Sequence, residues 1–161
     1  MTTTAPSGDP PRVRRARRAD LLSIHRIEQS AFPQPWPFSA FESYLGEPGF
    51  LVAEPPAETP SPGVDGYVVA DAIPNHGTPL GHVKDIAVRE QRRGEGVGTS
   101  LLERALGVLD DRGCGSVKLE VRVSNDPAIS LYRGFGFEHR RTVPGYYGDG
   151  EDALVLVTAL E

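Results

Sequence analysis

Residues 93–99 read Arg-Gly-Glu-Gly-Val-Gly-Thr, a glycine-rich segment between two regular apolar patterns. Before it, an apolar strand pattern runs to Val88, and after it apolar residues recur at helical spacing. These helical positions are Leu101, Leu102, Ala105, Leu106 and Leu109. The start of a helix presents unpaired amides and about half a positive charge, and glycines let an anion approach the backbone. The segment therefore predicts an anion-binding turn between a strand and a helix.

Several kinds of phosphate site use such a turn. A Walker A loop ends in Gly-Lys-Ser/Thr, whereas Gly98 is followed directly by Thr99, so that loop is excluded. A dinucleotide fingerprint needs a third glycine, but Gly94-x-Gly96 is followed by Thr99 and Gly96-x-Gly98 by Leu101, which disfavours it. Two interpretations of the segment remain. It is either a loop that only reverses the direction of the chain, or a site for the pyrophosphate of a coenzyme.

The elements around this turn predict a mixed α/β sheet in one domain of ordinary size. Strand–helix–strand units in the second half predict parallel pairing, and an early strand pair predicts an antiparallel hairpin. Ser39 is the predicted N-cap of the second helix. We expect a disordered tail over 1–11 and the folded domain over 12–161. The predicted strands are 13–16, 50–53, 67–70, 82–88, 117–123, 137–143 and 154–160, and the predicted helices are 21–31, 39–45, the one that opens in 93–99 and 128–133.

The composition excludes several classes of protein. A single cysteine, Cys114, rules out an internal disulfide framework and a Cys-based zinc cluster. A net charge of −5 argues against binding nucleic acid or an anionic membrane over the whole surface. No apolar run reaches the roughly 20 residues that a membrane span needs. We expect a cytoplasmic protein, a monomer or weak dimer, with no metal and no direct contact with nucleic acid or membrane.

Two motifs together resemble the GNAT N-acetyltransferases. Ile86-Ala87-Val88 followed by Arg93-x-x-Gly96-x-Gly98 resembles their acyl-CoA signature. Asn125-x-x-Ala128-x-x-Leu131-Tyr132-x-x-x-Gly136-Phe137 resembles their second hallmark. With residues 119–122, Leu-Glu-Val-Arg, the chain is similar to the ribosomal-protein-alanine N-acetyltransferases and archaeal N-terminal acetyltransferases over 13–160. It departs from the family at Glu90, where proline is frequent, and at Glu95, an acid among phosphate-facing amides.

This resemblance implies the GNAT fold, a mixed central sheet with flanking helices, and acetyl-CoA as the cosubstrate. Backbone groups of Ile86 and Val88 would hold the pantetheine arm, amides of 93–99 would surround the pyrophosphate, and Asn125 would bind from the other side. The side chain of Glu95 would then point to solvent. The implied coenzyme set is Ile86, Ala87, Val88, Arg93, Gly94, Glu95, Gly96, Val97, Gly98, Thr99, Asn125 and Tyr132.

Acetyl transfer to an amine needs a base for the amine and an acid for the departing thiolate. Between Val117 and Val123 charged residues alternate with apolar ones, which places Glu120 opposite the core face. Such a residue is usually a solvated surface charge, and a tyrosine such as Tyr132 is usually a packing residue. The resemblance implies Glu120 as the general base and Tyr132 as the general acid, with His82 as the alternative base.

The resemblance also implies that two segments bind the acceptor. These are the loop after the first helix, with Phe32, Pro33 and Trp36, and the last loop, with Tyr146 and Tyr147. The alternative is that these residues have structural roles only. Phe32 and Trp36 would then cover the edge of the apolar core, and Tyr146 and Tyr147 would be an aromatic pair at the end of a strand.

We expect the acceptor to be a protein N-terminus, and specifically that of a ribosomal protein beginning with alanine. Three alternatives stay open: acetylation of a small-molecule amine or a lysine, a noncatalytic acyl-CoA-binding module, and a nucleotide-binding domain.

Overall fold

The computed structural model describes residues 10–58 and 62–160, so most of the predicted tail lies outside the described residues. The elements follow the predicted order, with two added 3-10 turns at Arg18–Asp20 and Glu90–Arg92. The strands are β1 (Val13–Arg15), β2 (Phe50–Ala53), β3 (Gly66–Ile73), β4 (Leu80–Val88), β5 (Ser116–Arg122), β6 (Glu138–Val143) and β7 (Ala153–Ala159). The helices are α1 (Leu21–Ala31), α2 (Phe38–Ser43), α3 (Val97–Asp111) and α4 (Asp126–Gly134).

The strands form one mixed sheet in the order β1-β2-β3-β4-β5-β7-β6. The predicted antiparallel hairpin is β2 and β3, and the predicted parallel pair is β4 and β5. The prediction is wrong for β5 and β6, which are not neighbours. After β6 the chain turns back as β7, which inserts between them and pairs antiparallel with both.

The sheet separates two apolar clusters, because successive side chains of a strand point to opposite faces. On one face α3 packs through the predicted residues Leu101, Leu102 and Leu109, all at most 1% exposed. On the other face α1 and α2 pack through residues such as Leu21 and Phe41. The helices thus cover both faces of the mixed sheet, as the resemblance implied.

A glycine ends α3, whereas the predicted cap of α2 is wrong. Gly113 follows α3 with a φ of 84°, the left-handed conformation that glycine adopts without strain. Ser39 is not the cap of α2, because that helix begins one residue earlier, at Phe38, with Pro37 as its N-cap residue. Pro37 is extended (φ −70°, ψ 158°) and its carbonyl accepts from the amide of Ala40, so no side-chain cap is involved.

β4 and β5 separate toward their C-terminal ends. Their ladder runs only from Leu80 and Ser116 to Val83 and Leu119. Next to this point a bulge against β3 leaves Lys84 as an extra residue in β4. The parted ends of these two strands lie where open α/β sheets place their ligands.

Each helix in the described part of the chain is too short or too polar to span a lipid bilayer. Within residues 10–58 and 62–160, no group of three or more His, Cys, Asp or Glu side chains is arranged to hold a metal ion.

Asp20, at the start of α1, is expected to stabilise the fold. Its carboxylate accepts two bonds from the Arg14 guanidinium (2.8 and 3.0 Å) and one from the Arg17 amide (2.8 Å). Burial alone would raise the pKa of Asp20. The hydrogen bonds lower it instead, and the bond from Arg14 has the largest effect among them. Asp20→Asn should therefore cost about 1–3 kcal/mol of unfolding free energy, measured by urea titration at neutral pH.

The pH dependence of this cost follows from the lowered pKa. The stabilisation by Asp20 is complete above the ordinary carboxylate pKa and is lost as the pH falls through the lowered value. The exposed Asp110→Asn serves as the control and should change stability by less than about 0.5 kcal/mol. An Asp20→Asn effect as small as that of the control would contradict the expectation.

Candidate active site

Two cavities adjoin where β4 and β5 part. The large cavity, about 710 Å³, lies between the end of β4, residues 92–99 and α4. The small cavity, about 290 Å³, lies between β4, β5, the segment after α1 and the β6–β7 segment. Residues lining both cavities are Phe32, Ile86, Arg122, Asn125, Ala128 and Tyr132. A ligand in one cavity is therefore in reach of a ligand in the other.

The glycine turn forms one side of the large cavity. Gly94 and Gly96 have φ values of 80° and 85°, which only glycine adopts readily, and nothing lies within 4 Å of a Cβ built on either. Gly96 is the N-cap residue of α3, and no side chain caps this helix start. The open backbone and the uncapped helix start fit the pyrophosphate of a coenzyme.

All but one of the predicted coenzyme residues line the large cavity. The exception is Glu95, whose exposed side chain pairs with Arg92 at 3.5 Å, in agreement with the expectation that it points to solvent. Arg93 lines the cavity and its Nε donates to the carbonyl of Val88 (3.2 Å), which ties the turn to the end of β4.

A buried carboxylate, Asp65, supports the turn and was not predicted. Its two oxygens lie 3.1 Å from the Arg89 guanidinium and 3.3 Å from that of Arg92. Burial raises its pKa, and the two arginines oppose that rise. Asp65 lies outside both sequence motifs, so only its tertiary contacts reveal this role.

Two residues of the second motif stand where the cavities meet. Tyr132 of α4 is 5% exposed, with its ring 5.8 Å from that of Phe137. Burial raises the pKa of Tyr132, so its hydroxyl keeps its proton at neutral pH. Asn125 caps α4, because its side-chain oxygen accepts from the amide of Ala128 (3.3 Å), and the NH₂ group of Asn125 is then the group that can donate to a ligand.

The two alternative bases form one hydrogen-bonded pair. His82 Nε2 lies 2.7 Å from Glu120 Oε1, and Lys118 Nζ lies 3.3 Å from Glu120 Oε2. The hydrogen bond with His82, more than any other contact, lowers the pKa of Glu120. Glu120 lines the small cavity and His82 is not among its lining residues. The carboxylate is thus the member of the pair that faces the cavity.

Four of the five predicted acceptor residues line the small cavity: Phe32, Trp36, Tyr146 and Tyr147. Pro33 lines only the large cavity, because the chain turns between Phe32 and Trp36. The Trp36 ring stacks at 5.9 Å on that of Tyr44, and the two tyrosines of the last loop meet edge to face at 5.0 Å.

Arg122 holds the last loop in place and was not predicted. Its buried guanidinium pairs with Asp149 (2.9 Å) and Glu151 (2.8 Å) and lies 4.1 Å from the ring centroid of Tyr147. The strand period placed Arg122 among the outward charges of β5. It is buried because both acids and the ring come from the loop that closes over it.

Two further acids, Glu28 and Asp85, also line the small cavity and were not predicted as site residues. The sequence carried one signal for Glu28, which occupies a position in the apolar pattern of α1 and is 2% exposed.

Comparison with known proteins decides the family. The model of the Acetyltransferase (GNAT) family matches residues 21–137. The chain belongs to this family. The expected fold class and acetyl-CoA as cosubstrate are confirmed with it.

The GNAT relatives include both groups that the motifs resemble. The N-alpha-acetyltransferase of Sulfurisphaera tokodaii is 37% identical, over 97% of each chain. The ribosomal protein bS18-alanine N-acetyltransferase of Escherichia coli K12 is 33% identical, over 85% of this chain and 89% of its own. Among solved structures, Ard1 of Thermoplasma volcanium superposes with a TM-score of 0.81 at 26% identity, over 95% of this chain and 99% of its own.

Proposed function

We propose that this GNAT protein transfers the acetyl group of acetyl-CoA to the α-amine of a protein N-terminus, specifically that of a ribosomal protein beginning with alanine. The observation that carries the proposal is the junction of the two cavities, with Tyr132 lining both and Glu120 facing the smaller. The names of the relatives in Sulfurisphaera tokodaii and Escherichia coli support the same acceptor class.

The large cavity takes the coenzyme. The amides at the start of α3 and Arg93 bind its pyrophosphate, and the NH₂ group of Asn125 donates from α4. Beyond Val83 the edge of β4 has no strand partner on the β5 side. It offers backbone groups of Ile86 and the amide of Val88 to the pantetheine arm, since the Val88 carbonyl already accepts from Arg93. The acetyl thioester then lies between the parted strands, beside Tyr132.

The small cavity takes the acceptor. Trp36 and the two tyrosines of the last loop enclose a narrow peptide end, and Arg122 keeps that loop closed. Glu120 accepts a proton from the amine, directly or through a water molecule, as the nitrogen attacks the thioester carbon. The N–C bond forms, the C–S bond breaks, and Tyr132 donates its proton to the departing sulfur.

The transfer is direct and needs no acyl-enzyme. Cys114, the single cysteine, is buried in the apolar cluster under α3, and burial raises its pKa. A thiol in such a place is a poor nucleophile.

An α-amine suits this base better than a lysine does. An α-amine with a pKa of about 8 is roughly 10% neutral at pH 7, whereas a lysine amine with a pKa of about 10.4 is only about 0.04% neutral. A ribosomal protein as substrate places the reaction in the cytoplasm, and a single chain holds all the proposed groups.

A peptide library tests the proposal. Peptides that vary the first two positions are compared with N-terminally blocked peptides that contain an internal lysine, each with acetyl-CoA. We expect turnover of free N-termini, highest with alanine first. Equal rates on the blocked lysine peptides would contradict the α-amine, and coenzyme binding without turnover on any amine would indicate a binding module.

A further inference from the structure

Glu28 of α1 and Asp85 of β4 meet beneath the small cavity. Both side chains line that cavity, and the carboxyl of Asp85 lies close enough to that of Glu28 for a hydrogen bond between them to contribute to the raised pKa of Asp85. Oδ2 of Asp85 is completely buried and has no hydrogen-bond partner among residues 10–58 and 62–160, whereas the backbone amide of Ile86 donates to the carboxyl group of Asp85. Because a carboxylate only accepts, two carboxyl groups can share a hydrogen bond only when one carries a proton.

The contacts of Glu28 show which of the two carries it. Its Oε1 accepts from the hydroxyl of Tyr67 (2.5 Å) and its Oε2 from the amide of Trp36 (2.9 Å). Both oxygens of Glu28 already accept a hydrogen bond, whereas Oδ2 of Asp85 has no partner, and the shared proton is therefore assigned to Asp85. Burial first, and then the contact with Glu28, raises the pKa of Asp85 well above the ordinary range.

The other charged side chains that line the small cavity have partners of their own. The negative charge of Glu28 and Asp85 is therefore reduced by a proton and not by a neighbouring cation. Lys84 donates to the hydroxyl of Tyr44 (3.1 Å), and Glu120 and Arg122 have the partners given above. The titratable groups that line the cavity beside the pair are Lys84, Glu120, Arg122, Tyr132, Tyr146 and Tyr147.

We propose that Asp85 is a positioning residue for the acceptor: its carboxyl O–H donates to Glu28 and holds Glu28 where it binds the amide of Trp36. The proposal rests on the proposed function only in taking the small cavity as the acceptor site. Asp85 directly precedes Ile86, which lines both cavities, and Trp36 is part of the wall of the small one. The pair of Glu28 and Asp85 thus connects β4, which borders the coenzyme cavity, to the wall of the small cavity that contains Trp36.

The protonation is tested without any substrate. Infrared spectra at neutral pH should show the carbonyl stretch that protonated carboxyl groups give and carboxylates lack. Asp85→Asn should abolish this band, and Asp110→Asn, which removes an exposed carboxylate, should leave it. A wild-type protein without the band, or a band that survives in Asp85→Asn, overturns the proposal.

The positioning is tested with a pair of variants. Asp85→Asn keeps an N–H donor for Glu28, and Asp85→Ala removes it. Trp36 is the single tryptophan of the chain, so its fluorescence emission reports on the wall directly. We expect Asp85→Asn to keep the wild-type emission and peptide KM. Asp85→Ala should shift the emission to the red and raise the peptide KM roughly tenfold, with kcat less affected.

These readouts keep two failures apart. If no peptide is acetylated by the wild-type protein, the proposed function fails, and the infrared band and the Trp36 emission still decide the role of Asp85. If Asp85→Asn behaves like Asp85→Ala, or if Asp85→Ala keeps the wild-type emission and KM, the positioning role is overturned.

Discussion

Glu120→Gln should lower kcat about 10²–10⁴-fold and leave the KM for acetyl-CoA close to that of the wild type. The amide keeps the shape of the carboxylate and can still bond to His82, but it cannot accept the proton of the incoming amine. Steady-state kinetics with saturating acetyl-CoA and an alanine-first peptide measure the effect. Thermal unfolding of the variant checks that the loss is catalytic.

The pH profile separates Glu120 from His82 as the base. Because the bond with His82 lowers the pKa of Glu120, the carboxylate stays ionised through the neutral range. An acidic limb of kcat/KM near neutral pH is therefore expected from the acceptor amine, with a pKa of about 8. If Glu120 is the base, His82→Ala should keep the acidic limb of kcat/KM, because that limb reflects deprotonation of the acceptor amine.

The contrary result would reverse the assignment. If Glu120→Gln leaves the profile of kcat/KM intact while His82→Ala removes its acidic limb, the histidine is the base. A double variant that loses no more than Glu120→Gln alone would show that the two residues act as one unit.

The sequence predicted the helices and strands near the two motifs well, because each of them depends on residues that are close together in the chain. A glycine-rich turn between a strand and a helix needs only the backbone freedom of Gly94 and Gly96. The period of two in β5 was enough to turn Glu120 away from the core. The same pattern could not show that His82, 38 residues earlier, contacts Glu120, because that contact depends on the register of two parallel strands.

The unpredicted site residues share one property: their roles depend on partners far away in the sequence. Arg122 looks like another outward charge of β5 until the loop from the β6–β7 connection closes over it. Asp65 lies directly before β3, and Asp85 lies within β4. No sequence pattern distinguishes either residue from an ordinary surface acid. The insertion of β7 between β5 and β6 was missed for the same reason, since local periodicity does not determine which strands become neighbours.

Gly96→Ala should raise the KM for acetyl-CoA roughly 100-fold, the second large effect that we expect. Gly96 has a φ of 85° and an open space where a Cβ would be, at the helix start that we assign to the pyrophosphate. Alanine there costs about 1–2 kcal/mol of backbone strain. Its methyl group also enters the space that the phosphates need, so affinity should fall as well as stability.

Gly113→Ala separates these two effects, because Gly113 follows the other end of the same helix with a φ of 84° and the same open surroundings. Both variants should lose similar unfolding free energy in urea titrations. Only Gly96→Ala should lose affinity for acetyl-CoA in calorimetry and kinetics. If both variants keep the wild-type affinity, the turn does not bind the diphosphate. If both lose it equally, the loss comes from strain in α3 and not from contact with the coenzyme.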